Sequence, residues 1–398
     1  CALILLQVRL NSVAEEGGDR IDSWTGFRFV LALAIFVEHS GVFRISCAGC
    51  FLLLSGAVLG LSKKKVTGLK TYLLYVLRRF SRIYPAYWLA TLATHSPSYL
   101  LSHWKMLFAI HDTMYLWFIK TVLVLYLVFP LISGALDCFG TRESVRRCLS
   151  LACVCYFVQI LVTAYAIYIP GPQNSNYPRP VLGVQLRFYT DPLIRLPQFT
   201  LGIILGHTIQ ALPKDAQCRR WLSLLTDAAM AFWILLEILA VVADLHNPCL
   251  GECTFRFLPL FSRFFLWSPI IFVLLLGLAA SPQTSFTSTY LSQPLVTVLG
   301  TWSFGVYLWG AGILRLNQLL AAMDNSNNGS RLDLWFKLAS LYAATLLASA
   351  ASFILVESPI TNCVARFSKK LEDAQSNSAA KYGVVPLACT EEESGQYS

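Results

Sequence analysis

The sequence predicts an all-α fold, a polytopic membrane helix bundle of about ten transmembrane helices. Three observations predict it. Apolar residues make up 56% of the 398-residue chain and charged residues 13%, against roughly 25% charged in an average soluble protein. Apolar stretches of about 20 residues, enough to cross the hydrocarbon of a bilayer, recur along the chain. Lys and Arg gather in every second connection, the bias that keeps loops on the cytosolic side. A formal net charge of +9 would also suit nucleic acid, but basic clusters that punctuate apolar runs belong to membrane topology and exclude that class.

The expected elements run in order from the N-terminus. Residues 1–21 form an N-terminal segment, read as cytosolic; its opening CALILLQVRL is too short to span, and the end of a signal peptide or of an earlier helix both fit it. The first span, 24–43, is apolar except for Arg28, Glu38 and His39. The second, 46–62, runs into KKKVTGLK (63–70), and the third, 72–95, opens with LRRFSRIYPAYW. The fourth, 115–136, is rich in aromatics and precedes Arg142, Arg146 and Arg147. The fifth, 148–169, absorbs Cys148, Cys153 and Cys155 as small hydrophobes.

The sixth span, 193–212, ends at Lys214, Arg219 and Arg220, and the seventh, 221–243, carries Glu237. The eighth and ninth cover 257–280 and 294–320. The tenth, 334–356, runs into LVESP and then Arg366, Lys369 and Lys370. The basic connections and both termini are therefore expected in the cytosol. The opposite connections hold PGPQNSNYPRP (170–180), Cys249 and Cys253, and Asn328-Gly-Ser330, a glycosylation sequon. The sequon falls on the side that the charges assign to the lumen, so a secretory-pathway or plasma membrane is expected. Residues 22–362 are read as one transmembrane domain and 363–398 as a polar, disordered cytosolic tail. Among 12 cysteines, only the pairs Cys47/Cys50 and Cys249/Cys253 stand at segment ends where a disulfide is plausible.

Three ionisable residues in one apolar run need a reason, because the bilayer interior penalises each by a few kcal/mol. Arg28 and His39 are eleven residues apart, about three helical turns and roughly 16 Å of rise, on nearly one face. Glu38 points about 100° away from that face. The stripe pairs a permanent cation with the side chain best suited to proton transfer near neutral pH. The ordinary alternative is an Arg28 that snorkels and a His39 that bonds a neighbouring helix. Arg79 and Arg82, three residues apart, share a helix face that suits a two-pronged grip on phosphate. Arg78 also serves as a plain topology residue.

These motifs resemble, in order and spacing, those of acyltransferase family 3, integral membrane acyltransferases. GFRFVLALAIFVEHSG (26–41) is similar to the family's Arg and His separated by ten residues, and FLLLSGAVLGL (51–61) to its second-helix signature. RRFSRIYPAYW (78–88) carries its Arg-x-x-Arg and aromatic-proline run. LWFIKTVLVLYLVFPLI (116–132), RLPQFTLGIILG (195–206), LGTWSFGVYLWG (299–310) and LVESP (355–359) resemble later signatures.

The resemblance implies about ten transmembrane helices. It also implies acyl transfer, usually of acetyl, from cytosolic acyl-CoA to a hydroxyl of a glycan, a lipid-linked saccharide or another acceptor. It places His39 as the essential histidine and Arg28, Arg79 and Arg82 as essential arginines. The chain departs from the family at Val122 and Leu123, where many relatives carry acids, and at Gly310, where a histidine is common.

The residues support the same chemistry. A hydroxyl becomes a nucleophile when a base removes its proton, and histidine is the commonest such base. The expected roles are His39 and Arg28 at the catalytic centre and Arg79, Arg82 and Arg78 on the phosphates of acyl-CoA (acetyl-CoA). Glu38, Trp117, Tyr307 and Trp309 are expected to contact the acceptor, the aromatics by stacking a sugar ring. No metal is expected; His95, His103 and His111 repeat every eight residues, which matches no zinc spacing. Direct transfer and a two-step route through acyl-His39 both fit. A multi-pass transporter and a catalytically inactive membrane partner subunit remain alternatives, the first weakened by the lack of matching halves.

Overall fold

The structure, a computed structural model, describes residues 21–40, 47–62, 66, 68–109, 117–168, 191–213, 215–246, 257–280, 284–323 and 331–381. His111, Cys249, Cys253, the Asn328 sequon and the stretch 170–180 lie outside these residues. So do residues 1–20 and 382–398. Among the described residues every regular element is helical. The solvent is the reason: inside lipid a backbone must bond to itself, and a helix does so within one segment.

The chain enters through α1 (Asp22–His39), α2 (Ala48–Gly60) and α3 (Leu69–Thr94). A short α4 (Pro97–Ser102) and a 3₁₀ turn (Trp104–Phe108) come next. Then come α5 (Trp117–Cys138), α6 (Val145–Tyr168), α7 (Pro192–Ala211) and the long α8 (Ala216–His246). The last third comprises α9 (Phe257–Ala280), α10 (Phe286–Leu291), α11 (Pro294–Thr301) and α12 (Ser303–Met323). It closes with α13 (Arg331–Ser352), a five-residue π turn (Phe353–Glu357) and α14 (Ser358–Lys381).

Three expectations change. First, the ninth span is two helices, α11 and α12, bent by 49° at Trp302 rather than one continuous rod. Second, Cys47 and Cys50 are both buried, and no disulfide joins the two. Third, the polar composition predicts disorder from residue 363, but helix continues to Lys381, and Glu372 pairs with Arg78 of α3.

Among the described residues four helices are long and apolar enough to cross a membrane, or five if the bent pair is one span. The count falls below ten for a physical reason at two positions. Within a span's length α1 holds Asp22, Arg28 and Glu38, and α3 holds Arg78, Arg79 and Arg82, so their mean polarity is high although they pack inside the bundle. The outward faces are apolar, as lipid requires: Leu149, Val154, Phe157 and Leu161 on α6, and Phe232, Leu235, Ile238 and Leu239 on α8 are all exposed.

The tightest helix pair is α2 with α7, and the sequence explains it. Gly56 and Gly60 on α2 and Gly202 and Gly206 on α7 are two small-xxx-small pairs. A Cβ on Gly202 would run into the Leu53 carbonyl, and one on Gly206 into Gly60. Without a side chain in the way, backbones approach and gain dispersion contacts, the main glue between helices in lipid. Beside this pair, α1 packs on α11 and α12 with Gly300 against the Thr25 carbonyl, and α14 packs on α3. Asp227 of α8 caps α10, accepting from the backbone N–H of Thr287 at 2.9 Å and of Phe286 at 3.2 Å.

Candidate functional site

Helix α1 is an unbroken rod from Asp22 to His39, so Arg28 and His39 keep their eleven-residue spacing, roughly 16 Å along the axis. Its buried face carries Trp24, Phe27, Leu31, Ile35 and Phe36; Arg28, Glu38 and His39 are half-buried. Apolar packing on one side of α1 thus holds the polar stripe at the edge of the core.

The His39 end of the bundle is aromatic. The His39 ring lies 6.3 Å from the Tyr307 ring of α12, and Tyr307 meets Phe118 of α5 edge-on at 5.5 Å. Phe118 also packs on Phe51 of α2 and on its neighbour Trp117. Trp309, on the same helix as Tyr307, is half-buried, and its indole N–H has no hydrogen-bond partner among the described residues. A buried indole normally finds one, so this donor is available to an acceptor. His39, Tyr307 and Trp117 stand within one chain of aromatic contacts.

Sequence reasoning missed the cation on the far side of this assembly. Arg195 of α7 is 1% exposed, although it is charged at any pH. Its guanidinium lies 5.4 Å from the centre of the Trp117 ring and donates to Gln198 Oε1 at 3.0 Å. Gly49 leaves room for the Gln198 amide, which a Cβ there would crowd. Arg195 and Glu237 both lie within electrostatic reach of the buried Cys50. The signal was present in RLPQF: an arginine inside an apolar run, the criterion that singled out Arg28.

The arginines of α3 point three ways. Arg79 is turned inward, its guanidinium 5.6 Å from the Tyr75 ring and 5.8 Å from the Tyr126 ring of α5. The Tyr75 hydroxyl donates to the Tyr126 carbonyl at 3.1 Å, fixing one wall of that cage. Arg78 pairs with Glu372 on α14. Arg82 is exposed and lies within electrostatic reach of the buried Glu357 in the π turn. The expected joint grip by Arg79 and Arg82 on one face is not how these side chains sit; they flank α3 on two sides.

The two ends are separated along the bundle. Thr94 at the end of α3 packs against Gly312, two residues beyond Gly310, which packs against Phe36 of α1. Thr94 is therefore close to the level of the His39 end. Arg82 and Arg78 lie 12 and 16 residues before it, roughly 18–24 Å of helix rise. His39 and these arginines thus stand at different levels of the bundle.

The two departures from the family motifs are packing positions here. Val122 and Leu123 are buried apolar residues of α5. A Cβ on Gly310 would stand 3.2 Å from the Phe36 ring, so a larger side chain needs that ring to move. His95 and His103 are separated by Tyr99, whose ring stacks on both, at 5.2 Å and 4.3 Å.

Known proteins fit this arrangement in one respect. The family model for the acyltransferase domain of family 3 matches residues 14–354. Neither the curated proteins nor the solved structures give a match.

Proposed function

The chain belongs to acyltransferase family 3 and is a membrane acyltransferase, and on that premise we propose that it moves an acyl group, usually acetyl, from acyl-CoA to a carbohydrate hydroxyl. The observation that carries the reading is the separation of a cationic end on α3 from an imidazole end on α1. Coenzyme A thioesters have the same two-ended form: a phosphate-rich nucleotide, a long linear arm and a reactive thioester. A gap of roughly 18–24 Å is of the order that such an arm bridges.

In this reading the donor comes from the cytosol with its phosphates at Arg79 and Arg82, assisted by Arg78. Its arm runs past Arg28 to the thioester beside His39. The acceptor, a glycan or lipid-linked saccharide, arrives from the lumenal side and stacks on Tyr307, Trp309 and Trp117. Glu38 lines its approach. His39 takes the proton of the acceptor hydroxyl, the oxygen attacks the thioester carbonyl, and the coenzyme A thiolate leaves and is protonated. Arg28, roughly 16 Å along α1 from His39, holds a further phosphate of the donor. Transfer through acyl-His39 uses the same parts in two steps. Both termini lie in the cytosol, and no metal takes part.

The test is transfer of label. Purified protein in nanodiscs receives radiolabelled acetyl-CoA and a mixture of membrane glycans and glycolipids; label reaching a carbohydrate in a His39-dependent way supports the reading. Solute flux in liposomes without acyl-CoA, and no label transfer, would support a transporter instead.

A further inference from the structure

Helix α5 carries a proline in its interior, and the consequence falls on the cationic end. Pro130 has no backbone N–H, so the Tyr126 carbonyl four residues before it loses its helical donor. The pyrrolidine ring also crowds that oxygen. A carbonyl left open inside a bilayer needs another donor, because lipid offers none. Here α3 supplies it. The Tyr75 hydroxyl donates to the Tyr126 oxygen at 3.1 Å, and about one turn earlier the Tyr72 hydroxyl donates to the Leu127 carbonyl at 3.2 Å. The two tyrosines, three residues apart, share a face of α3, and Arg79 follows Tyr75 by four residues on it.

The bond from Tyr75 holds a ring as well as a carbonyl. That ring lies 5.6 Å from the Phe129 ring on one hand, and the Arg79 guanidinium stands 5.6 Å from its centre on the other. The opposite wall of the cage, Tyr126, packs on Phe199 of α7 at 6.3 Å. We propose that Pro130 and Tyr75 are positioning residues of the donor site: the proline opens the Tyr126 carbonyl, the Tyr75 hydroxyl closes it, and the ring so fixed aims Arg79 at a phosphate of acyl-CoA. The inference rests on the acyl-CoA reading above. A free arginine loses many rotamers when it grips a ligand, and a cage that holds it beforehand removes that cost from donor binding.

Equilibrium binding of radiolabelled acetyl-CoA to the full chain in nanodiscs, measured beside thermal unfolding, tests this. Tyr75→Phe keeps the aromatic ring and removes only the hydroxyl; it is expected to weaken binding roughly fivefold, the scale of one hydrogen bond. Pro130→Ala gives α5 its own donor for the Tyr126 carbonyl, so it is expected to weaken binding by a similar factor without lowering the unfolding temperature. In transfer assays both losses should fall on KM for acetyl-CoA and leave kcat unchanged. In an Arg79→Gln background neither change is expected to cost anything further, because both act through that guanidinium. Unchanged binding by folded Y75F, or losses that simply add to that of R79Q, would overturn the proposal. Should Y75F fail to fold, P130A carries the test alone, and wild-type binding by folded P130A would likewise overturn it. Wild-type protein that binds no acetyl-CoA would sink the donor reading itself, and the proposal with it.

Discussion

His207 Nδ1 lies 2.6 Å from Thr141 Oγ1, and neither residue has any exposed surface. The pair is the centre of a polar knot that ties the ends of α2, α5 and α7 together. Thr141 also bonds the Leu136 carbonyl at 2.9 Å, and Arg142 donates to Asp137 at 2.7 Å and to Gln210 at 2.9 Å. Gln210 in turn donates to the carbonyls of Gly60 and Leu61. Thr141→Val leaves a buried imidazole nitrogen without its partner, which costs about 1–3 kcal/mol. Thermal unfolding in detergent should show the loss, and T141V/H207L should lose less than the two single variants together, because both polar partners leave at once.

A second prediction concerns the α2–α7 contact. Gly202→Leu places a side chain where the Leu53 carbonyl stands. Overpacking typically costs about 1–3 kcal/mol, and more where the obstacle is backbone that cannot turn aside. The folded yield after extraction should fall sharply, while Gly134→Ala, where nothing lies within 4 Å, should behave as wild type.

His39→Ala tests the chemistry. If His39 is the base, acyl transfer should fall by roughly two to four orders of magnitude. The ring packs at 6.3 Å from Tyr307 at the rim of the core, so unfolding temperature should change little. Acetyl-CoA binding should survive, because the arginines of α3 are untouched. Full transfer by folded H39A would end the proposal in both its direct and its two-step forms.

Arg195 separates electrostatics from packing. Its removal takes the donor from the buried Gln198 Oε1, and a buried acceptor that loses a charged partner costs about 1–3 kcal/mol. Arg195→Met should therefore unfold at markedly lower temperature. Arg195→Lys keeps the charge but not the flat stack on Trp117 and should fall between.

How much of this is legible in the sequence depends on how each residue type announces itself. The first span was readable because three ionisable residues interrupt an apolar run, a pattern with a price attached in lipid. The bend at Trp302 was not: the run from 294 to 314 carries no charge, and hydropathy cannot see a break between two helices of equal greasiness. The turning of Arg78 and Arg79 in different directions depends on Glu372 and Tyr126, which lie far away along the chain. Helical spacing placed Arg79 and Arg82 on one face, and long side chains then bent toward whichever partner tertiary packing supplied. The helix after 363 was hidden by composition, since its polar residues suit both a tail and a helix that anchors through one ion pair and a buried Ser368.

Arg79 offers the sharpest test of the donor end, because two tyrosines hold it whether or not donor is present. Its guanidinium sits between the rings of Tyr75 and Tyr126, a contact worth about 0.5–2 kcal/mol. If the cage exists to aim the cation at phosphate, Arg79→Lys should weaken acetyl-CoA binding although the charge remains, since an ammonium neither stacks flat nor forks. Tyr126→Leu should produce a smaller loss by loosening one wall. Raising the salt should weaken wild-type binding and narrow the gap to R79K, as expected when phosphates are held by charge. If R79K bound acetyl-CoA like the wild type at every ionic strength, Arg79 would be a packing residue, and the donor phosphates would have to be sought on Arg82 alone.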